Sequence, residues 1–150
     1  MRHLERIILH CTATLGNESG DVDIDTVRTW HVEGNNWADV GYHYLVRRDG
    51  TIEPGRPLDV PGAHTKGHNW DSIGIAFTGG LNASNRSPED TRTPEQRKSL
   101  YGLLNALLVV FPTIHSIHGH REFSAKACPC FDARAEYQAL TDGKTAKPRA

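Results

Sequence analysis

No run of apolar residues in this 150-residue chain approaches the length of a membrane span. The opening segment MRHLERIILHCTA starts basic, but its apolar stretch, Ile7-Ile8-Leu9, is far too short for a signal-peptide core. The expectation is a protein made in the cytoplasm, with no membrane stage and no export signal of its own. Charge of one sign is also missing. A formal net charge of -1 argues against a wholesale basic surface for nucleic acid or anionic lipid. Cysteine is scarce and odd in number: Cys11, Cys128 and Cys130. Three thiols without a leader argue against a disulfide framework and leave metal ligand, buried thiol or reactive thiol as their roles. Local zinc signatures are absent too, with no H-E-x-x-H and no pair of CxxC knuckles. There is no internal repeat and no interdomain linker, so residues 1–150 are expected to form one domain.

What the chain does have is alternating strand and helix signals. Arg6 to His10 reads as a buried strand, and Thr12 to Gly20 as loop. Asp21 or Asp23 caps a helix running to about Gly34, with Ile24, Val27 and Trp30 as its apolar stripe. Gly41 to Arg48 and Thr51 to Pro54 form a hairpin around Asp49-Gly50. Residues 55 to 70 are a loop rich in Gly, Pro and His, followed by a buried strand from Ser72 to Thr78. Thr93-Pro94-Glu95-Gln96 is a capping box with proline at the first helical position. Leu100, Leu103, Leu104, Leu107, Leu108 and Phe111 continue it as one apolar face until Pro112. A short strand from Thr113 to His118 and a helix capped by Asp132 complete the pattern, with a frayed tail from about Gly143. Interleaved strands and helices with one hairpin predict an α/β fold: a central mixed β-sheet flanked by helices.

Nine histidines are a large supply of neutral nitrogen ligands. His10 falls at the end of the first strand, His118 and His120 at and beyond the end of the last, and Cys128 just before the final helix. Strand ends of an open sheet are where sites form. Two histidines and a thiolate would make a three-ligand zinc centre with the fourth position left to water. Spacing alone does not choose among His115, His118 and His120. It also leaves His10 readable as a hydrogen-bonded core histidine and Cys11 as a small buried hydrophobe. Tyr42 and His43 alternate on a strand, so one of the two faces the core; His43 is read as structural. Trp30 and Trp37 are read as core or groove wall, and Cys130 as incidental.

Four blocks carry a resemblance. Ile8-Leu9-His10-Cys11-Thr12-Ala13-Thr14 looks like the ligand strand of the type-2 N-acetylmuramoyl-L-alanine amidases. Trp37-Ala38-Asp39-Val40-Gly41-Tyr42-His43-Tyr44 with Arg48-Asp49-Gly50-Thr51-Ile52 resembles their central strand and hairpin. Gly62-Ala63-His64 with Asn69-Trp70-Asp71-Ser72-Ile73-Gly74-Ile75 is similar to the next block, and Gly119-His120 through Lys126-Ala127-Cys128-Pro129 to the closing motif. The blocks keep the family's order over about residues 6 to 137. The likeness extends to short single-domain bacteriophage lysozyme-amidases and, more widely, to peptidoglycan recognition proteins.

The resemblance implies one zinc ion held by His10, His120 and Cys128, with Tyr42 and Lys126 assisting catalysis and His64 in the loop lining the substrate groove. It implies hydrolysis of the amide between N-acetylmuramic acid and L-alanine in peptidoglycan, by a monomeric phage endolysin that reaches the periplasmic wall after release from the infected cell. Two alternatives accompany it: a peptidoglycan-binding protein that does not cut, of which loss of the thiolate ligand would be the sign, and an amidase that also restrains a phage RNA polymerase.

Overall fold

Strand β1, Arg6–Cys11, is almost wholly buried and runs through the middle of the molecule. The computed structural model describes residues 1–145. After β1 come β2 (Thr14–Leu15), α1 (Ile24–Thr29), β3 (Tyr44–Val46), β4 (Ile52–Pro54) and β5 (Ser72–Phe77). Then follow β6 (Gly80–Leu81), α2 (Pro94–Val110), β7 (Ser116–Gly119) and α3 (Ala133–Thr141). Five strands form one sheet in the order β4-β3-β5-β1-β7, and β2 pairs with β6 separately. Only β4 is antiparallel to its neighbour, as the Asp49-Gly50 turn requires. The sheet is therefore mixed, flanked by helices, as the sequence predicts.

Alternation along β1 sorts its side chains between two faces. Ile7, Leu9 and Cys11 join Ile73, Ile75 and Phe77 beneath Leu100, Leu104, Leu107 and Leu108 of α2 and Tyr137 of α3. On the opposite face Leu45 and Ala76 pack with Ile24 and Val27 of α1 and with Val40. His10 falls on this second face, near the carboxyl end of its strand. The capping box forms as expected: Thr93 Oγ1 accepts from Gln96 N–H and Gln96 Oε1 accepts from Thr93 N–H. Gln96 is itself fully buried, and its amide donates to the Val46 and Thr78 carbonyls, so the cap also docks α2 onto the sheet.

Four local expectations change. The α-helix from Asp23 ends at Thr29, and a π-helical turn carries the chain through Gly34. Trp30 is exposed rather than part of the stripe. At about 100° per residue, Trp30 lies about 120° from Ile24, whereas His31 returns close to the Ile24 line. The loop expected from Thr12 contains β2 and a 3₁₀ turn, Glu18–Gly20. Regular strand begins only at Tyr44, although His43 N–H still donates to Gly74 O and Arg56 N–H to Tyr42 O, which hold Tyr42 at the sheet. Of the expected frayed tail, Lys144 N–H still donates to Thr141 O, and residues 146–150 lie outside the described residues. No helix among the described residues is long and apolar enough to cross a membrane.

Candidate metal centre and substrate groove

Because β1, β5 and β7 are parallel, their carboxyl ends share one edge of the sheet. His10 is the penultimate residue of β1, and His120 is the first residue beyond β7, where the chain turns into a 3₁₀ helix, His120–Glu122. Gly119 makes that exit possible: a Cβ there would lie 2.9 Å from Pro129 Cδ. The following loop folds back on itself, with Arg121 N–H donating to Cys128 O and Cys130 N–H to Ala127 O. This brings Cys128 against the end of β1, where it receives the Cys11 N–H at 3.2 Å.

The ligand atoms of His10, His120 and Cys128 all lie within 4.8 Å of one another. Cys128 Sγ is 3.8 Å from His10 Nδ1, and the two imidazoles stand 4.6 Å apart between centroids. Zinc bonds of about 2.3 Å to sulfur and about 2.0 Å to nitrogen, at a tetrahedral angle, place the two donors roughly 3.5 Å apart. The observed pair fits that requirement. The protonation states fit as well. Burial, reinforced by His64, His120 and Lys126, holds His10 well below the usual histidine range. Burial and Lys126 likewise lower His120. Hydrogen bonding from the Cys11 side chain, followed against burial by the Cys11 backbone and Lys126, lowers the Cys128 thiol. Neutral imidazoles and a thiolate are the forms that bind metal.

The other candidate histidines are engaged elsewhere. His118 lies between Glu122, at 3.0 Å, and Ser116 Oγ, at 2.9 Å. His115 sits beside Glu5. Cys11 is buried in the core, and Cys130 turns its sulfur to Cys11 Sγ and the Gly80 carbonyl rather than to the histidines.

A cavity of about 290 Å³ opens over the cluster. Tyr42, with its ring 5.2 Å from that of His10, Lys126 and His31 are among its walls. Burial raises the Tyr42 phenol, which keeps it a proton-bearing donor. The cavity shares Trp37, Ala63, His64, His120 and Lys126 with a neighbouring cleft of about 510 Å³ that adds Lys66 and Ser124, making a continuous groove. Among the described residues no carboxylate side chain lines it. His64 reaches the groove with little of its surface; it is 8% exposed, and its Nδ1 lies 2.8 Å from His10 Nε2. His43 is buried away from the groove, accepting from Gly74 N–H and facing the Val60 carbonyl.

Sequence reasoning missed His31, whose Nδ1 accepts from Gly41 N–H and whose ring meets those of Trp37 and Tyr42 at tilted and edge-on angles. The seven-residue step from Ile24 was its available signal. It also gave no role to Thr65 and set Asn69 aside; Thr65 meets His64 beside it and His10 across 55 positions, while Asn69 binds backbone within its own loop, and neither pattern has a periodic signature.

The model of the family described as "N-acetylmuramoyl-L-alanine amidase" matches residues 1–131. The chain is 42% identical over 127 residues to an endolysin of Enterobacteria phage K11, covering 85% of this chain and 81% of that protein. It is 30% identical over 134 residues to peptidoglycan-recognition protein SC2 of Drosophila melanogaster, covering 85% and 68%. Among solved structures, N-acetylmuramoyl-L-alanine amidase LysC from Clostridium intestinale superimposes with a TM-score of 0.76 at 27% identity, covering 93% of this chain and 86% of that one.

Proposed function

Because the chain belongs to the N-acetylmuramoyl-L-alanine amidase family, we propose that His10, His120 and Cys128 hold a zinc ion at the active site and that the adjoining groove receives the peptide stem of peptidoglycan. The protein is an endolysin-type amidase: it hydrolyses the amide between N-acetylmuramic acid and L-alanine in the bacterial cell wall. The observation carrying the metal assignment is the convergence, within 4.8 Å, of two imidazoles and a sulfur that come from the two ends of the sequence.

Zinc, when bound, supplies Lewis-acid polarisation of the scissile carbonyl and a water-derived nucleophile at neutral pH. The protein's own residues do the rest. His10, His120 and Cys128 would hold the ion with three protein donors, a number that would leave room for water. The Tyr42 phenol, kept protonated by burial, donates a hydrogen bond to the carbonyl oxygen as charge develops on it. The Lys126 ammonium stabilises the same oxyanion from the groove wall. Lys66 and Lys126, in a groove without carboxylates, suit the acidic groups of a stem peptide. Trp37 and His64 form its sides.

Cys128 favours cleavage over passive binding, since a binding module has no need of a thiolate beside two neutral imidazoles. Restraint of a phage RNA polymerase would be additional to catalysis, and a pull-down with that polymerase tests it. The deciding experiment for the reaction is digestion of purified muropeptides with mass analysis of the products. Release of a peptide with a free alanine amino terminus is expected. Intact muropeptides, or cuts within the peptide or glycan, overturn the assignment.

A further inference from the structure

His10 has two ring nitrogens, and they face different neighbours. Nδ1 lies toward Cys128 Sγ, at 3.8 Å. Nε2 points the other way, 2.8 Å from His64 Nδ1 and 3.3 Å from Thr65 Oγ1. For Nδ1 to offer its lone pair, the ring hydrogen must sit on Nε2. We propose that His64, fixed by Ser72 and Asn69, is a positioning residue that holds His10 in this tautomer. The inference rests on His10, His120 and Cys128 being the metal ligands.

The direction of the hydrogen bonds is set from the far end of the chain of contacts. The Ser72 hydroxyl has one hydrogen and lies 2.7 Å from the His68 carbonyl, which only accepts. With that hydrogen committed, Ser72 Oγ is left as an acceptor toward His64 Nε2, 3.4 Å away. A neutral imidazole carries one ring hydrogen, so His64 with a hydrogen on Nε2 accepts at Nδ1. His10 Nε2, opposite that nitrogen, is then the donor. Thr65 Oγ1 sits 3.0 Å from His64 Nδ1 and closes the triangle.

The ring is held in place from two sides. Asn69 Oδ1 accepts both the His64 and Thr65 backbone N–H groups, each at 2.9 Å. Beneath the ring, Gly74 leaves the necessary space: a Cβ there would lie 2.4 Å from His64 Cδ2. Ser72, His64, Thr65 and His10 are all buried, so bulk water does not compete for these bonds. An outer partner of this kind fixes the orientation and basicity of a metal-bound imidazole.

Two measurements test the inference. Nitrogen-15 NMR of the metal-free protein should find both His10 and His64 with the hydrogen on Nε2. Chelator competition should find zinc affinity lowered about 10- to 100-fold in His64→Ala, with most of it recovered in His64→Gln, whose amide oxygen can accept from His10. A hydrogen on His10 Nδ1 in the unaltered protein, or native zinc affinity in His64→Ala, overturns the positioning role. Should His64→Ala fail to fold, the NMR result on the unaltered chain still decides. Absence of stoichiometric zinc binding by the unaltered protein is a different outcome, which overturns the metal assignment and this inference together.

Discussion

The backbone N–H of Cys11 donates to the sulfur of Cys128 across 3.2 Å, tying the central strand to a loop 117 positions away. That bond stabilises negative charge on the sulfur, whereas the Cys130 thiol is raised by its contact with Cys11 and by burial, which outweigh a backbone hydrogen bond from Glu89. Cys128→Ser should therefore lose zinc and at least about 100-fold in activity while keeping its far-ultraviolet circular dichroism. Cys130→Ser should keep both metal and activity. Metal analysis of the two purified variants checks this, and retained zinc in Cys128→Ser would remove the thiolate from the ligand set.

Tyr42 and Lys126 stand on the groove wall but are not among the three converging donors. Tyr42→Phe and Lys126→Ala should retain zinc at full stoichiometry and lose about 100- to 1000-fold in kcat, the usual consequence of deleting one oxyanion donor. Unchanged kcat in either variant takes that residue out of the mechanism.

Acid should destabilise the fold through His43. Burial, followed by Arg2 and Arg56, lowers it from about 6.5 to about 4, against an opposing bond to the Val60 carbonyl. Between those values the unfolded chain binds a proton that the folded chain refuses. The stabilisation is complete above about pH 6.5 and is lost as pH falls toward 4, flattening below that. At pH 5 this single group has removed on the order of 2 kcal/mol. His10 and His64 are lowered in the same direction. Urea unfolding of metal-free protein between pH 7 and 4.5 measures the slope. A His43→Gln variant should show about one proton less in it; identical slopes would acquit His43.

Gly74 lies directly under the His64 imidazole. Gly74→Ala forces a methyl group to within 2.4 Å of that ring in the middle of a buried strand. A loss of about 1–3 kcal/mol in unfolding free energy is expected, accompanied by weaker zinc binding because His64 must move. Thermal melts with and without zinc separate the two effects, and a variant as stable as the unaltered chain would show that the strand can yield.

Much of this molecule is written in short-range pattern. Thr93 and Gln96 announce α2 because a capping box needs only neighbours three residues apart. The buried runs of β1 and β5 and the Asp49-Gly50 turn are legible for the same reason, since strand alternation and turn geometry are local. His10 and Cys128 were visible as chemistry but not, from spacing, as partners. Their meeting depends on the order β5-β1-β7 and on the loop that folds back after His120.

The choice between His118 and His120 shows where local pattern stops. The two have the same strand parity, so alternation cannot separate them. Only the end of β7 at Gly119, and the 3₁₀ turn beginning at His120, send one imidazole to His10 and leave the other with Glu122 and Ser116. His64 likewise gained its place from the packing of a loop. By itself the sequence determined the principal strands and helices and which donor types are present. The tertiary structure decided which donors meet, because alignment of distant strand ends depends on burial and hydrogen bonding across the whole sheet.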